Sequence, residues 1–131
     1  MNDSGIPASE ELTDGKARKG SSYHDIPREP GLYFLGSKEL PNIFKIGISI
    51  KTPLERRLQT VQVGNPFYVE VMIFWSIPDA AKLRSIERKL QRAQWMKDRL
   101  TRPAKPSGSW YHLPPDVRIR IKQLVMEELN G

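Results

Sequence analysis

The chain contains no cysteine, which excludes disulfides, thiolate metal sites and a cysteine nucleophile. Histidine is nearly as scarce. His24 and His112 stand far apart, so a histidine-based metal cluster is not expected. Long apolar runs are missing too: Val71 to Trp75 is the longest, far short of the ~20 residues that a membrane-spanning helix needs. Residues 1–30 lack an apolar core of the signal-peptide kind and carry Asp3, Glu10, Glu11 and Asp14. A cytoplasmic location is therefore expected. No internal repeat or heptad pattern runs through the chain.

What is present is positive charge, unevenly placed. The 131 residues have room for one domain with a modest core, and their net charge is +6. Residues 1–30 hold four basic and six acidic side chains, a net of −2, whereas residues 31–131 carry a net of +8. A basic globular part points to a polyanionic partner, most simply nucleic acid; a merely soluble basic surface is the bland alternative. Residues 1–28 are rich in Ser, Gly, Asp, Glu and Lys with few large apolar groups. Such a segment cannot bury enough surface to offset its ordering entropy, and a disordered polar tail is expected ahead of a domain at 29–131.

Residues 31–49 organise that domain. Two apolar runs, Gly31-Leu32-Tyr33-Phe34-Leu35-Gly36 and Phe44-Lys45-Ile46-Gly47-Ile48-Ser49, flank the polar connector Ser37–Asn42. This predicts a β-hairpin. Each strand carries one polar side chain in an apolar frame, Tyr33 and Lys45. Antiparallel pairing can bring the two together on one face, and a buried lysine without a partner is costly. Thr52-Pro53-Leu54-Glu55 predicts a capped helix start with Thr52 as the cap, and Leu54, Leu58 and Val61 as its apolar stripe. Alternation over Phe67–Ile77 predicts a long strand with cover on both faces at Met72 to Trp75. Pro78-Asp79 opens a helix expected over residues 79–100, with Leu83, Ile86, Leu90 and Ala93 buried. A loop, an extended segment at Ser109–Leu113 and a final helix follow, the last capped by Asp116 and buried through Val117, Ile121, Leu124 and Val125. The order predicts a small α/β (α+β) layer domain, with a largely antiparallel three-stranded sheet flanked by helices.

Gly31-Leu32-Tyr33 followed by Lys45-Ile46-Gly47 resembles the paired tripeptides of the GIY-YIG endonuclease superfamily. The likeness is to the branch of phage and microbial DNA-binding proteins whose second tripeptide reads KIG. It continues in order through Arg57-Leu58, Gln62-Val63-Gly64-Asn65-Pro66, Glu87 and Gly108-Ser109-Trp110-Tyr111, spanning residues 31–113. The resemblance implies a DNA endonuclease that hydrolyses phosphodiester bonds with one divalent cation, Mg²⁺ or Mn²⁺. Glu87 would be the metal ligand, Arg57 the phosphate clamp and Tyr33 the general base or water-positioning group. Lys45, standing where many relatives have a second tyrosine, would draw Tyr33 toward the phenolate. Gln91 stands where the branch commonly has histidine, and Ser109 where it commonly has glutamate. These departures favour the alternative, a DNA-binding module of the same fold with cleavage weak or lost.

Several of these residues also have plainer explanations. Glu87 can pair with Arg84 or Gln91 on its own helix, Tyr33 fits a half-buried strand position, and the turn chemistry accounts for Asn65. The expected DNA-binding surface comprises Arg56, Arg84, Arg88, Lys89, Arg92, Arg102 and Lys105.

Overall fold

The computed structural model describes residues 26–63, 65–101 and 110–131. It is an α+β fold with an open antiparallel sheet. The elements run β1 (Gly31–Ser37), β2 (Leu40–Ser49), α1 (Leu54–Val63), β3 (Glu70–Ser76), α2 (Ala80–Arg92), α3 (Gln94–Lys97), β4 (Tyr111–His112) and α4 (Pro115–Asn130). The sheet order is β3-β1-β2-β4. It therefore has four strands rather than three, the fourth only two residues long and paired with Ile43 and Phe44. The hairpin is tighter than the sequence implied: Lys38 and Glu39 form the turn and β2 resumes at Leu40. Among the described residues, no helix is long and apolar enough to cross a membrane.

The alternation of β1 splits the core between two faces of the sheet. Leu32 and Phe34 join Leu83, Ile86 and Leu90 of α2, Met96 of α3, and Val117, Ile121 and Val125 of α4. Tyr33 and Leu35 face the other way, with Leu54, Leu58 and Val61 of α1. Ile26 is buried in this second cluster and Pro27 is buried beside it. Ile26 and Pro27, placed in the tail by the sequence reading, thus pack with the domain, and residues 1–25 of the expected tail lie outside the described residues. A bulge shifts the β1–β3 register between Phe34 and Leu35, where Ile73 and Val71 are the successive partners. Met72 is the extra residue. Val71 consequently packs on the α1 face and Ile73 on the other, although simple alternation places them together.

Helix ends depart from expectation in three places. Pro53, not Thr52, holds the cap position of α1, since its carbonyl accepts from the Arg56 and Arg57 amides. Pro114, not Asp116, occupies that position on α4, with no side-chain cap bond. The expected helix over 79–100 stops at Arg92, because Ala93 is extended with ψ 125°. The short α3 that follows turns Met96 into the core, and Lys97 and Arg99 no longer belong to the basic helix. Its start is as read from sequence: Asp79 Oδ1 accepts from the amides of Ala81 and Lys82.

The far end of β2 is fixed from α4. Arg118 is buried, donating to Asn42 Oδ1 (3.0 Å) and to the Leu113 carbonyl (2.7 Å), with its guanidinium 5.3 Å from the centre of the Phe44 ring. Asn42 sits at φ 66°, a conformation asparagine tolerates better than most residues, and its carbonyl accepts from Leu113 N.

Candidate active site

Because β4 covers only Ile43 and Phe44, no described residue pairs with the outer edge of β2 from Lys45 to Ser49. Helix α1 closes on this edge from one face of the sheet and α2 from the other. Between them lies a cavity of about 470 Å³ lined by Tyr33, Lys45, Gly47, Lys51, Thr52, Arg57, Arg84, Glu87 and Gln91, with Ile46, Ile48 and Ile50.

Register explains how the hairpin residues converge. Tyr33 pairs with Gly47 and Leu35 with Lys45, so Tyr33 and Lys45 are diagonal neighbours on the α1 face. Gly47 leaves that face open beside the tyrosine. A Cβ there would overlap the Tyr33 hydroxyl and ring, so any larger residue would displace the phenol. Glycine is required here by close approach, not by backbone angle. Gly31 is similarly tight, since a Cβ would run into the Phe74 ring and the Trp75 carbonyl.

Burial sets the electrostatics. The Tyr33 phenol is pushed above its ordinary value chiefly by desolvation; Arg57 opposes the shift and Glu87 adds to it. The expectation from the sequence is a phenol drawn toward the phenolate by Lys45; the net shift is upward, with burial its largest cause. Lys45 itself is pushed down, first by burial and then by the nearby Arg57 guanidinium. Burial thus favours the protonated phenol and the neutral amine.

The four residues expected to carry chemistry, Tyr33, Lys45, Arg57 and Glu87, all line this one cavity. So does Arg84, expected only as part of a general DNA-binding surface. Lys51 and Thr52 were not singled out as site residues. They sit in the turn after β2, held by the Ser49 hydroxyl donating to the Thr52 carbonyl at 3.1 Å. Gln62, part of the motif but given no role, clamps the loop after α1: its amide donates to the Phe67 carbonyl and its oxygen accepts from Val69 N, each at 2.7 Å.

The basic surface is only partly as expected. Arg88 and Arg92 are exposed on the outer flank of α2 and Arg56 on α1, none of them lining the cavity. Lys89 is turned to α4, where it forms a 2.6 Å ion pair with Glu128. Ser85 donates to the same carboxylate and Lys82 to the Leu129 carbonyl. Arg102 and Lys105 lie outside the described residues. Comparison of the chain with family models, curated proteins and solved structures returns no match to any of them.

Proposed function

We propose that this chain is a GIY-YIG-type nuclease domain that hydrolyses DNA phosphodiester bonds. The observation that carries this reading is the convergence of Tyr33, Lys45, Arg57 and Glu87 on one open cavity, at the stretch of β2 that no described residue pairs. Four cations, Lys45, Lys51, Arg57 and Arg84, face it against the single carboxylate of Glu87, a balance suited to a phosphodiester. Arg57 presents a planar fork that matches two phosphate oxygens and keeps its charge at any working pH. Arg84 adds a second cation from the opposite wall. Lys45, whose ammonium burial makes easier to deprotonate, accepts the proton of the attacking water when it is in its neutral amine form. Tyr33 stays protonated and donates a hydrogen bond that orients that water.

The donor set fits a hard divalent cation such as Mg²⁺ or Mn²⁺ held weakly. Among the described residues, Glu87 is the only carboxylate lining the cavity, and the width of the cavity leaves room for waters and phosphate oxygens to complete the shell. Among the described residues, no cluster of three or more His, Asp or Glu could hold a metal without substrate. When bound, such an ion would neutralise developing charge on the phosphoryl group and leaving oxygen.

A second reading, a DNA-binding module that does not cut, is favoured by Gln91, an amide lining the cavity one helical turn beyond Glu87, where it can take no part in proton transfer. A plasmid-nicking assay with Mg²⁺ or Mn²⁺ separates the two. Metal-dependent nicking that EDTA and Glu87→Ala both abolish supports hydrolysis. DNA binding with no nicking under any metal supports the module, and full activity in EDTA overturns the metal role of Glu87.

A further inference from the structure

A second cavity of about 350 Å³ lies against the first and shares one wall with it, the turn Ile50-Lys51-Thr52. Its remaining lining is Ile26, Pro27, Arg28, Ser49, Pro53 and Glu55. The chemistry of the two cavities differs sharply. The first gathers four cations around one acid. The second sets the aliphatic faces of Ile26, Pro27, Ile50 and Pro53 around two cations, Arg28 and Lys51, and the carboxylate of Glu55, a net of one positive charge. A phosphate would be drawn more strongly to the first, whose net charge is +3, than to the second, where Glu55 offsets one of two cations. Apolar walls with a hydrogen-bond acceptor suit a flat heterocycle carrying an amino group.

Resting on the nuclease reading above, we propose that the second cavity receives an unpaired nucleobase of the strand being cut, next to the phosphate held by Arg57. Lys51, exposed on the shared wall, meets the backbone between the two. A base still stacked in a duplex cannot enter such a pocket, so the preferred substrate is DNA with an unpaired or extruded nucleotide at the cut. Glu55 accepts from an exocyclic amine, as carboxylates do from cytosine N4, and this favours cytosine or adenine over thymine at that position. The packing of Ile26 and Pro27 against the domain thereby forms one wall of a binding site.

The test is fluorescence anisotropy at low salt with the full chain carrying Glu87→Ala, so that bound DNA is not cut. Oligonucleotide duplexes are compared fully paired and with a single unpaired cytosine, and a third carries an unpaired thymine in place of that cytosine. We expect binding about tenfold tighter for the unpaired form, the scale of one stacked base. Glu55→Phe, which fills the cavity, brings the ratio of the two Kd values near one. Glu55→Gln keeps the shape and therefore the preference for an unpaired base, but narrows the difference between cytosine and thymine. Because each variant is judged by a ratio, a general loss of affinity does not mimic the result, and circular dichroism confirms folding. Equal Kd values for the paired and unpaired-cytosine duplexes in a protein that binds and nicks DNA overturn the inference and leave the nuclease reading standing. A preference that Glu55→Phe leaves untouched overturns it as well. Failure to bind any of the duplexes removes the nuclease reading and this inference together.

Discussion

The two flanks of α2 carry similar cations and use them in opposite ways. On one flank Lys82, Ser85 and Lys89 turn to α4, where Glu128 and the Leu129 carbonyl satisfy them. On the other, Arg84, Glu87 and Gln91 open onto the cavity, and Arg88 and Arg92 remain exposed between the flanks. Charge on a helix is thus a poor guide to function until its neighbours are known. The α4 flank is a structural joint. The cavity flank has its charges ready for a ligand.

The sharpest way to break this contrast is to empty the cavity flank of its acid. Glu87→Ala should lower nicking about 10³-fold, the value of several kcal/mol of transition-state charge stabilisation, while DNA affinity is largely kept. Plasmid nicking and anisotropy on the same preparations measure both. Arg57→Ala, across the cavity on α1, should cost about 10²–10³ in rate, as loss of one preorganised donor does. Its affinity should fall only by a single phosphate contact, and a loss of binding as large as the loss of rate would place Arg57 in general attachment.

The pH dependence tests the roles of the two hairpin residues. Because burial lowers the Lys45 ammonium and raises the Tyr33 phenol, the cleavage rate should rise with pH through a midpoint below the ordinary lysine value of 10.5. That limb should survive in Tyr33→Phe, at reduced rate, and vanish in Lys45→Met. A limb lost with the tyrosine would restore the phenolate mechanism.

Salt titration compares the exposed cations between the flanks with those engaged on the α4 flank. With about three to five phosphate contacts, log K should fall with log salt at a slope of roughly −3 to −5. Replacing Arg88 and Arg92 by Ala should flatten it by up to ~2 units, and replacing Lys82 and Lys89 should change it by less than ~0.5. Equal effects would mean that the α4 joint opens on DNA.

The smallest effect concerns the joint itself. Glu128 has its carboxyl held below the usual 4.5 by hydrogen bonds from Lys89 and Ser85. Its contribution to stability is full above that value and lost as the pH falls through the lowered one. Lys89→Ala should therefore lower the melting temperature slightly at neutral pH, with the two proteins converging in acid. A difference that persists below the carboxyl's range would assign the effect to packing.

How much of this was legible in the residues varies by element. The hairpin, the Asp79 cap and the stripe Leu83, Ile86, Leu90 follow from local pattern, and the Tyr33–Lys45 juxtaposition follows from the hairpin. The bulge at Met72 was not legible, because an inserted residue leaves the composition of a strand unchanged. The break at Ala93 was hidden for a related reason: alanine favours helix, and the chain turns there because Met96 is drawn into the core. The titration of Tyr33 and Lys45 depends on how deeply each is buried, which a list of neighbours in sequence cannot report. Lys51 and Thr52 became site residues only through the path of the turn after β2. The engagement of Lys89 by Glu128 spans 39 residues, beyond any local pattern.

Among the described residues, β4 pairs with β2 only at Ile43 and Phe44, and this has a consequence for self-association. A strand with an uncovered flank offers its amides and carbonyls to any passing extended chain, and natural proteins guard such flanks with charge, above all lysine. Here Lys45 lies on the exposed stretch of β2 and Lys51 just past its end, against the walls from which α1 and α2 project Arg57 and Arg84. The cations of the proposed phosphodiester site would also make the gap hostile to strand addition, so the proposed chemistry and protection from self-association would draw on the same side chains.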